Sequence, residues 1–425
     1  MPFGIFARSS VPRAADLRLR SSASRPSLPV QLAAKKAADE ITKLIEGPTG
    51  ATEERRVLSL LGDARGLELD TVLWRLDLGH LLSSIYDYGN TRHRSALITL
   101  LTRDRLEDVS LSNRVRLVSL LQTGPTNERD EVGIRDIFAG TGGEMLTRLK
   151  NAIDSEAESS DIHQLLFREI DSDEVRDSIL AHIKKNATPD SGELKVLSDI
   201  DDTVLAWKDR RYPKKATYPG VVEFYRQLCA RPHTGSARRS DLVFLTARPV
   251  DRLGAIEGLT LRTLRRRGLR GVIVPGDVSS LRSNDHMANR KFANFERHLQ
   301  LYPESRTVFI GDNGQGDMIL AKKMRAEHPN AVVVALIHNV DHGVRRPSKQ
   351  MRAALRSKGI VLFDTYVGAA AAAHEHGLVD DQAVLAVARA ADIELDQIPF
   401  DDLPQFRSRQ RELRRDLEAI EHLRP

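Results

Sequence analysis

The apolar positions of this chain change their spacing near residue 190. Before that point they recur at helical intervals. Val72-Leu73, Leu76, Leu81-Leu82 and Ile85 share one face, as do Leu97-Ile98 with Leu100-Leu101, and Val115, Val118 and Leu121. Gly47-Pro48, Gly89-Asn90 and Gly124-Pro125 punctuate the run. No period-two alternation stands out, so the spacing predicts an all-helical domain over residues 29–186, closed by one amphipathic stretch at 164–185. Asn186-Ala187-Thr188-Pro189-Asp190-Ser191-Gly192 then reads as a linker. Beyond it, short apolar runs alternate with amphipathic ones. Strands are predicted at 194–200, 242–247, 272–274, 307–310, 332–337 and 360–363, and helices at 221–230, 253–267, 287–301 and 318–328. That alternation predicts an α/β fold with a parallel sheet and right-handed crossovers. Residues 369–373, 381–391 and 409–422 read as closing helices. The last has a narrow apolar stripe, Leu413, Leu417 and Ile420, suited to packing on the protein or to lying on a membrane surface.

The chemistry collects at the ends of these runs. The first ends in Asp199 and Asp201, with Asp202 and Thr203 directly after. Carboxylates this close repel one another unless a cation neutralises them, and a hard cation such as Mg²⁺ prefers oxygen ligands. The second run, through Asp241-Leu242-Val243-Phe244-Leu245, ends in Thr246 and Arg248. The third, from Val308, ends in glycines with Asp312 and Asp317. Lys291 lies between the second and third. The C-terminal edge of an open α/β sheet is where ligands bind. Any one of these segments also fits an acidic or polar turn after a strand; four in order make a constellation. Two other segments carry no such weight. Gly140-Thr141-Gly142-Gly143 lacks the Gly-Lys-Ser/Thr of a phosphate loop and reads as a helix break. His374-Glu375-His376 is too tightly spaced for the helical zinc motif and reads as surface.

The ordered constellation resembles the haloacid dehalogenase (HAD) superfamily of aspartate-nucleophile phosphatases. Asp199, Asp201 and Thr203 match its first motif, Thr246 its second, Lys291 its third, and Asp312 with Asp317 its fourth. More closely, Ser198-Asp199-Ile200-Asp201-Asp202-Thr203, Tyr218-Pro219-Gly220-Val221, Leu245-Thr246-Ala247-Arg248-Pro249 and Gly311-Asp312-Asn313-Gly314-Gln315-Gly316-Asp317 are similar to the catalytic domain of the actin-patch-protein (App) type of phosphatidate phosphatase, which is related to the lipins. The resemblance runs from about residue 195 to 373, a little under half the chain. It implies a Rossmann-like HAD domain over 193–376 with strand order 5-4-1-2-3. It also implies Asp199 as nucleophile and Asp201 as general acid and base. Thr203 braces the loop and belongs with Thr246, Arg248 and Lys291 to the substrate-binding set. Mg²⁺ is implied on Asp199, on Asp312 and on the carbonyl of Asp201, with Asp317 binding the metal or orienting its waters. Arg248 pairs with phosphate or with an acidic partner. Lys291 has rivals in Arg290, Lys322 and Lys323.

The activity so implied is Mg²⁺-dependent hydrolysis of phosphatidate to diacylglycerol and phosphate. The alternatives are a phosphatase of phosphoproteins or soluble esters, and a lipin-like phosphatidate-binding module without turnover. The intervals between the motifs hold no large cap domain, and an open site suits a phosphate on a bulky or surface-bound molecule.

Composition adds limits. The chain has 425 residues, 41% hydrophobic, enough for two or three domains. Net charge of +5 is small for that length, so nucleic acid is not expected, and an anionic lipid surface is favoured only weakly. Cys229 is the single cysteine, which excludes an intrachain disulfide and suits a reducing compartment. No apolar stretch is long enough to span a bilayer, which points to a cytoplasmic or peripheral-membrane protein. Residues 1–28 are rich in Arg and Ser; they read as a disordered basic leader in preference to an organelle transit peptide. Residues 377–425 read as a C-terminal helical extension, and the helical domain points to no identifiable partner.

Overall fold

The structure, a computed structural model, describes residues 26–87, 92–122, 127–156, 161–187, 193–230, 241–249, 255–276, 284–314, 316–340 and 347–423. Residues 1–25 of the expected leader lie outside that set. The chain divides into two compact units, Met1–Thr188 and Pro189–Pro425.

The first unit is helical among its described residues: α1 (Leu28–Leu44), α2 (Ala51–Asp63), α3 (Leu67–Arg75), α4 (Leu78–Ser84), α5 (His93–Thr99), α6 (Leu111–Leu121), α7 (Glu128–Ala139), α8 (Gly143–Glu156) and α9 (Asp173–Asn186). α1 buries a stripe at helical spacing, Ala34, Ala38 and Ile41. The stretch 164–185 is not one helix. A π turn, Leu165–Glu169, ends at Ile170, and the Ser172 hydroxyl caps α9 by accepting from Val175 N at 3.2 Å. The break is held by a distant residue: the buried Glu131 carboxylate accepts from Asp171 N and Ser172 N at 2.8 and 3.1 Å.

The second unit is built on six parallel strands: β1 (Leu194–Ser198), β2 (Leu242–Pro249), β3 (Val272–Gly276), β4 (Arg306–Asp312), β5 (Val332–His338) and β6 (Ile360–Phe363). Their order is β3-β2-β1-β4-β5-β6, which is the expected five-strand order extended by a sixth strand. Between and after them run α10 (Val221–Leu228), α11 (Ala255–Arg266), α12 (Asn284–Leu301), α13 (Asp317–Glu327), α14 (Lys349–Arg356), α15 (Tyr366–Glu375), α16 (Asp381–Asp396) and α17 (Leu403–Ala419). The short helix α14 was not anticipated from the apolar spacing.

Both faces of the sheet are covered, which explains why the strands read as continuous apolar runs. Val196, Val308, Ile310 and Leu336 pack with Phe224 of α10, Tyr366 and Val367 of α15, Val387 of α16 and Leu413 of α17. Leu197, Phe309, Val243 and Ile337 pack with Phe292 and Phe295 of α12 and Leu320 of α13. The C-terminal helices thus share one core with the sheet. Leu413 and Ile420, the stripe that also suited a membrane surface, are 5% and 2% exposed.

Candidate active site

Parallel pairing decides where the reactive ends fall. Ser198 pairs with Phe244 on one side and Ile310 on the other. Asp199 leaves the strand next, its N–H donating to Ile310 O at 2.9 Å. Asp312, two residues past Ile310, ends β4, and Thr246, two past Phe244, lies level with them on the other flank. Three strands therefore deliver Asp199, Asp312 and Thr246 to one edge.

Two helices complete the site. Asp317 is the first residue of α13, where its carboxylate meets the positive end of the helix dipole. The backbone there needs two glycines. A Cβ on Gly311 would lie 2.6 Å from Asp317 Oδ2, and Gly316, with φ +91°, would meet Asn284 O at 2.6 Å. From α12, Lys291 Nζ reaches Asp199 Oδ1 at 2.8 Å and Asp317 Oδ1 at 2.7 Å. Of the rival basic residues, Lys323 lies over the Phe292 ring and faces Glu327, and Lys322 is exposed.

Carboxylate oxygens of Asp199, Asp312 and Asp317 all lie within 4.8 Å of one another, and all three residues are buried. Asp201 is half-buried and close enough to act on Asp199. Burial raises Asp199 to about 7; Lys291 opposes the shift, and Asp317 and Asp201 add to it. Burial likewise raises Asp317 to about 6, against Lys291 and with Asp312. For Lys291, burial pulls the ammonium down, but the two carboxylates outweigh it and raise it above its ordinary value. Among the described residues, one ammonium thus faces the three carboxylates of a buried, all-oxygen donor set. That donor set fits a small hard divalent cation such as Mg²⁺.

The loop after Asp199 is braced by residues whose part the sequence did not disclose. Asp202 sits at φ +59°, a conformation Asp tolerates better than most residues. Its carboxylate accepts from the N–H groups of Trp207, Lys208 and Asp209 at 2.7, 2.8 and 3.0 Å. Its carbonyl accepts from His338 Nδ1 at 3.0 Å. Burial lowers His338 to about 4, so the ring is neutral at pH 7 and carries its proton on the nitrogen that donates. Tyr366 OH donates to Thr203 O at 2.6 Å, and Tyr225 OH lies 2.5 Å from Ser198 Oγ. Thr203 is fully buried, as Asp312 and Asp317 are. Asp202 was visible only as a third carboxylate, and nothing in the spacing marks His338, Tyr225 or Tyr366. The side chain of Arg248 lies outside the described residues.

Residues 194–339 match the family described as phosphatidate phosphatase APP1, catalytic domain. The match is about a third of the chain; it begins at the first residue of β1 and ends one residue past β5. No curated protein and no solved structure matches the chain. The match is consistent with a catalytic domain of the App phosphatidate phosphatase type at 194–339, whose chemistry is that of a phosphoric monoester hydrolase.

Proposed function

We propose that this protein is a Mg²⁺-dependent phosphatidate phosphatase that works through an aspartyl-phosphate in an HAD-like site. The observation that carries the reading is the meeting of Asp199, Asp312 and Asp317 within 4.8 Å, with Lys291 bonded to the first and last. Asp199, Asp312 and Asp317 would hold the ion, which supplies positive charge where an anionic nucleophile meets an anionic phosphate.

The Asp199 carboxylate attacks phosphorus as the bond to the glycerol oxygen breaks, forming the acyl phosphate. Asp201, more exposed than Asp199, donates a proton to the departing oxygen. It then takes a proton from water as that water cleaves the acyl phosphate and frees Asp199. Lys291 favours the ionised form of Asp199 and, with Thr246, faces the phosphoryl oxygens as charge develops on them. Asp202, His338 and Tyr366 act through the backbone; they hold the loop so that Asp201 keeps its place beside Asp199.

Phosphate release from phosphatidate vesicles in Mg²⁺ tests this, with phosphopeptides and sugar phosphates alongside. The expected result is Mg²⁺-dependent release from the lipid, abolished by EDTA, and an acid-stable, hydroxylamine-sensitive phosphoprotein after quenching. Activity confined to soluble substrates would remove the lipid. Vesicle binding without turnover in ample Mg²⁺ would replace the enzyme by a sensor.

A further inference from the structure

Directly after the acidic loop the chain makes a small hairpin with a basic outer face. Leu205 bridges antiparallel to Thr217, and Ala206 N donates to Ala216 O at 2.9 Å. Between residues 206 and 217 the one acid is Asp209. It is buried, where it accepts from Arg211 Nη2 at 2.9 Å and from Tyr218 OH at 3.1 Å. Lys208, Arg210, Lys214 and Lys215 are exposed. With them is Trp207, 39% exposed, its ring 4.2 Å from Lys214 Nζ.

The hairpin is anchored on its other sides. Gln405 of α17 donates to Arg210 O at 3.0 Å, and Glu412 of the same helix meets Arg211 Nη1 at 3.6 Å. Arg267, just past α11, donates from Nε to Thr217 Oγ1 at 2.8 Å. The Asp202 carboxylate ties the Trp207–Asp209 backbone to the loop that carries Asp201. An exposed indole among cations, held rigidly beside a phosphate-ester site, matches an anionic bilayer in charge and in polarity. Indoles settle at the headgroup level, and each cation near an anionic leaflet strengthens binding roughly fivefold.

We propose that the hairpin 206–217 docks this protein on an anionic phospholipid bilayer. Trp207 enters the headgroup layer, and Lys208, Arg210, Lys214 and Lys215 face the lipid phosphates. Docking there presents the neighbouring acidic loop to a headgroup phosphate while the lipid stays in the membrane. That last consequence rests on the phosphatidate reading above; the docking itself does not.

The test uses the full chain with Trp74→Phe, which leaves Trp207 as the only tryptophan of the two. Its emission should shift to the blue on vesicles containing phosphatidylserine and stay unchanged on phosphatidylcholine alone. Arg210→Gln with Lys214→Gln should weaken partitioning by on the order of tenfold or more. Trp207→Ala, read by co-sedimentation in the otherwise native chain, should weaken it as well. Both variants should keep hydrolysis of a short-chain phosphatidate dispersed as monomers and lose it on vesicles. Unshifted emission, or variants that partition as the native chain does, would overturn the proposal and leave an acidic protein as the partner of this face. If the shift is seen but no phosphatidate is hydrolysed in either form, the docking surface stands and the substrate reading falls.

Discussion

Asp199 sits where burial, Asp317 and Asp201 all favour its protonated form, and only Lys291 opposes them. Without a divalent cation, the folded protein holds that proton to about pH 7, whereas the unfolded chain releases it near 3.8. The folded state therefore binds the extra proton across that window. The site's contribution to stability is complete below the lower value and is lost as pH rises through the upper one. In EDTA the melting temperature should carry a component that falls between about pH 4 and 7, and Asp199→Asn should shrink it to the share carried by Asp317, which is raised to about 6. Mg²⁺ should raise the melting temperature more at pH 8 than at pH 5, because protons compete for the same oxygens. The same Asn variant should lose at least about 10³-fold in phosphate release while remaining folded, since a nucleophile has no substitute. Lys291 behaves oppositely. Lys291→Ala strips an ammonium from two buried carboxylates 2.8 and 2.7 Å away. Breaking a buried pair in this way costs about 3–5 kcal/mol. Urea unfolding in EDTA should show that loss, and part of it should return when Mg²⁺ is added.

At the scale of elements, the site depends on how closely β4 passes the start of α13. Gly311→Ala would put a methyl group 2.6 Å from Asp317 Oδ2 and 2.7 Å from its Cβ. The overpacking costs about 1–3 kcal/mol and is relieved by moving Asp317 away from Lys291. The Mg²⁺ concentration for half-maximal activity should therefore rise in this variant; an unchanged Mg²⁺ titration would show that the turn has room to spare. The loop after β1 is held in the same indirect way. Its brace comes from β5 through His338 and from α15 through Tyr366, elements that follow it by 136 and 163 residues in the chain.

For the whole molecule, the two compact units predict separable stability. The fragment Pro189–Pro425 should unfold cooperatively and release phosphate within about twofold of the full chain, because a domain with its own core folds alone. A fragment ending at His376 should not fold. It lacks Val384, Val387, Ala391, Leu395, Leu413 and Ile420, which pack into the core of the sheet. Burying one such Val, Leu or Ile side chain is worth about 1.5–3 kcal/mol, so losing these together is comparable to the whole ~5–15 kcal/mol that holds an ordinary domain together. Circular dichroism melts and limited proteolysis of the two fragments would distinguish these outcomes.

The linear pattern alone settled the helical first unit, the six strands and the acids at their ends. A strand buried on both faces must be apolar throughout, and residues that leave its end are free to be charged. The ordered motifs also carried the resemblance that the match over 194–339 supports. What the pattern could not contain was convergence. That Lys291 and not Lys323 reaches Asp199 depends on which face of a helix meets the sheet. That 164–185 breaks depends on Glu131 reaching Asp171 and Ser172 from 40 and 41 residues away. That 377–425 belongs with the sheet depends on an apolar face which a narrow stripe barely records. These are contacts between segments far apart in the chain, and local spacing holds no information about which distant partner will satisfy a buried charge or cover an exposed core.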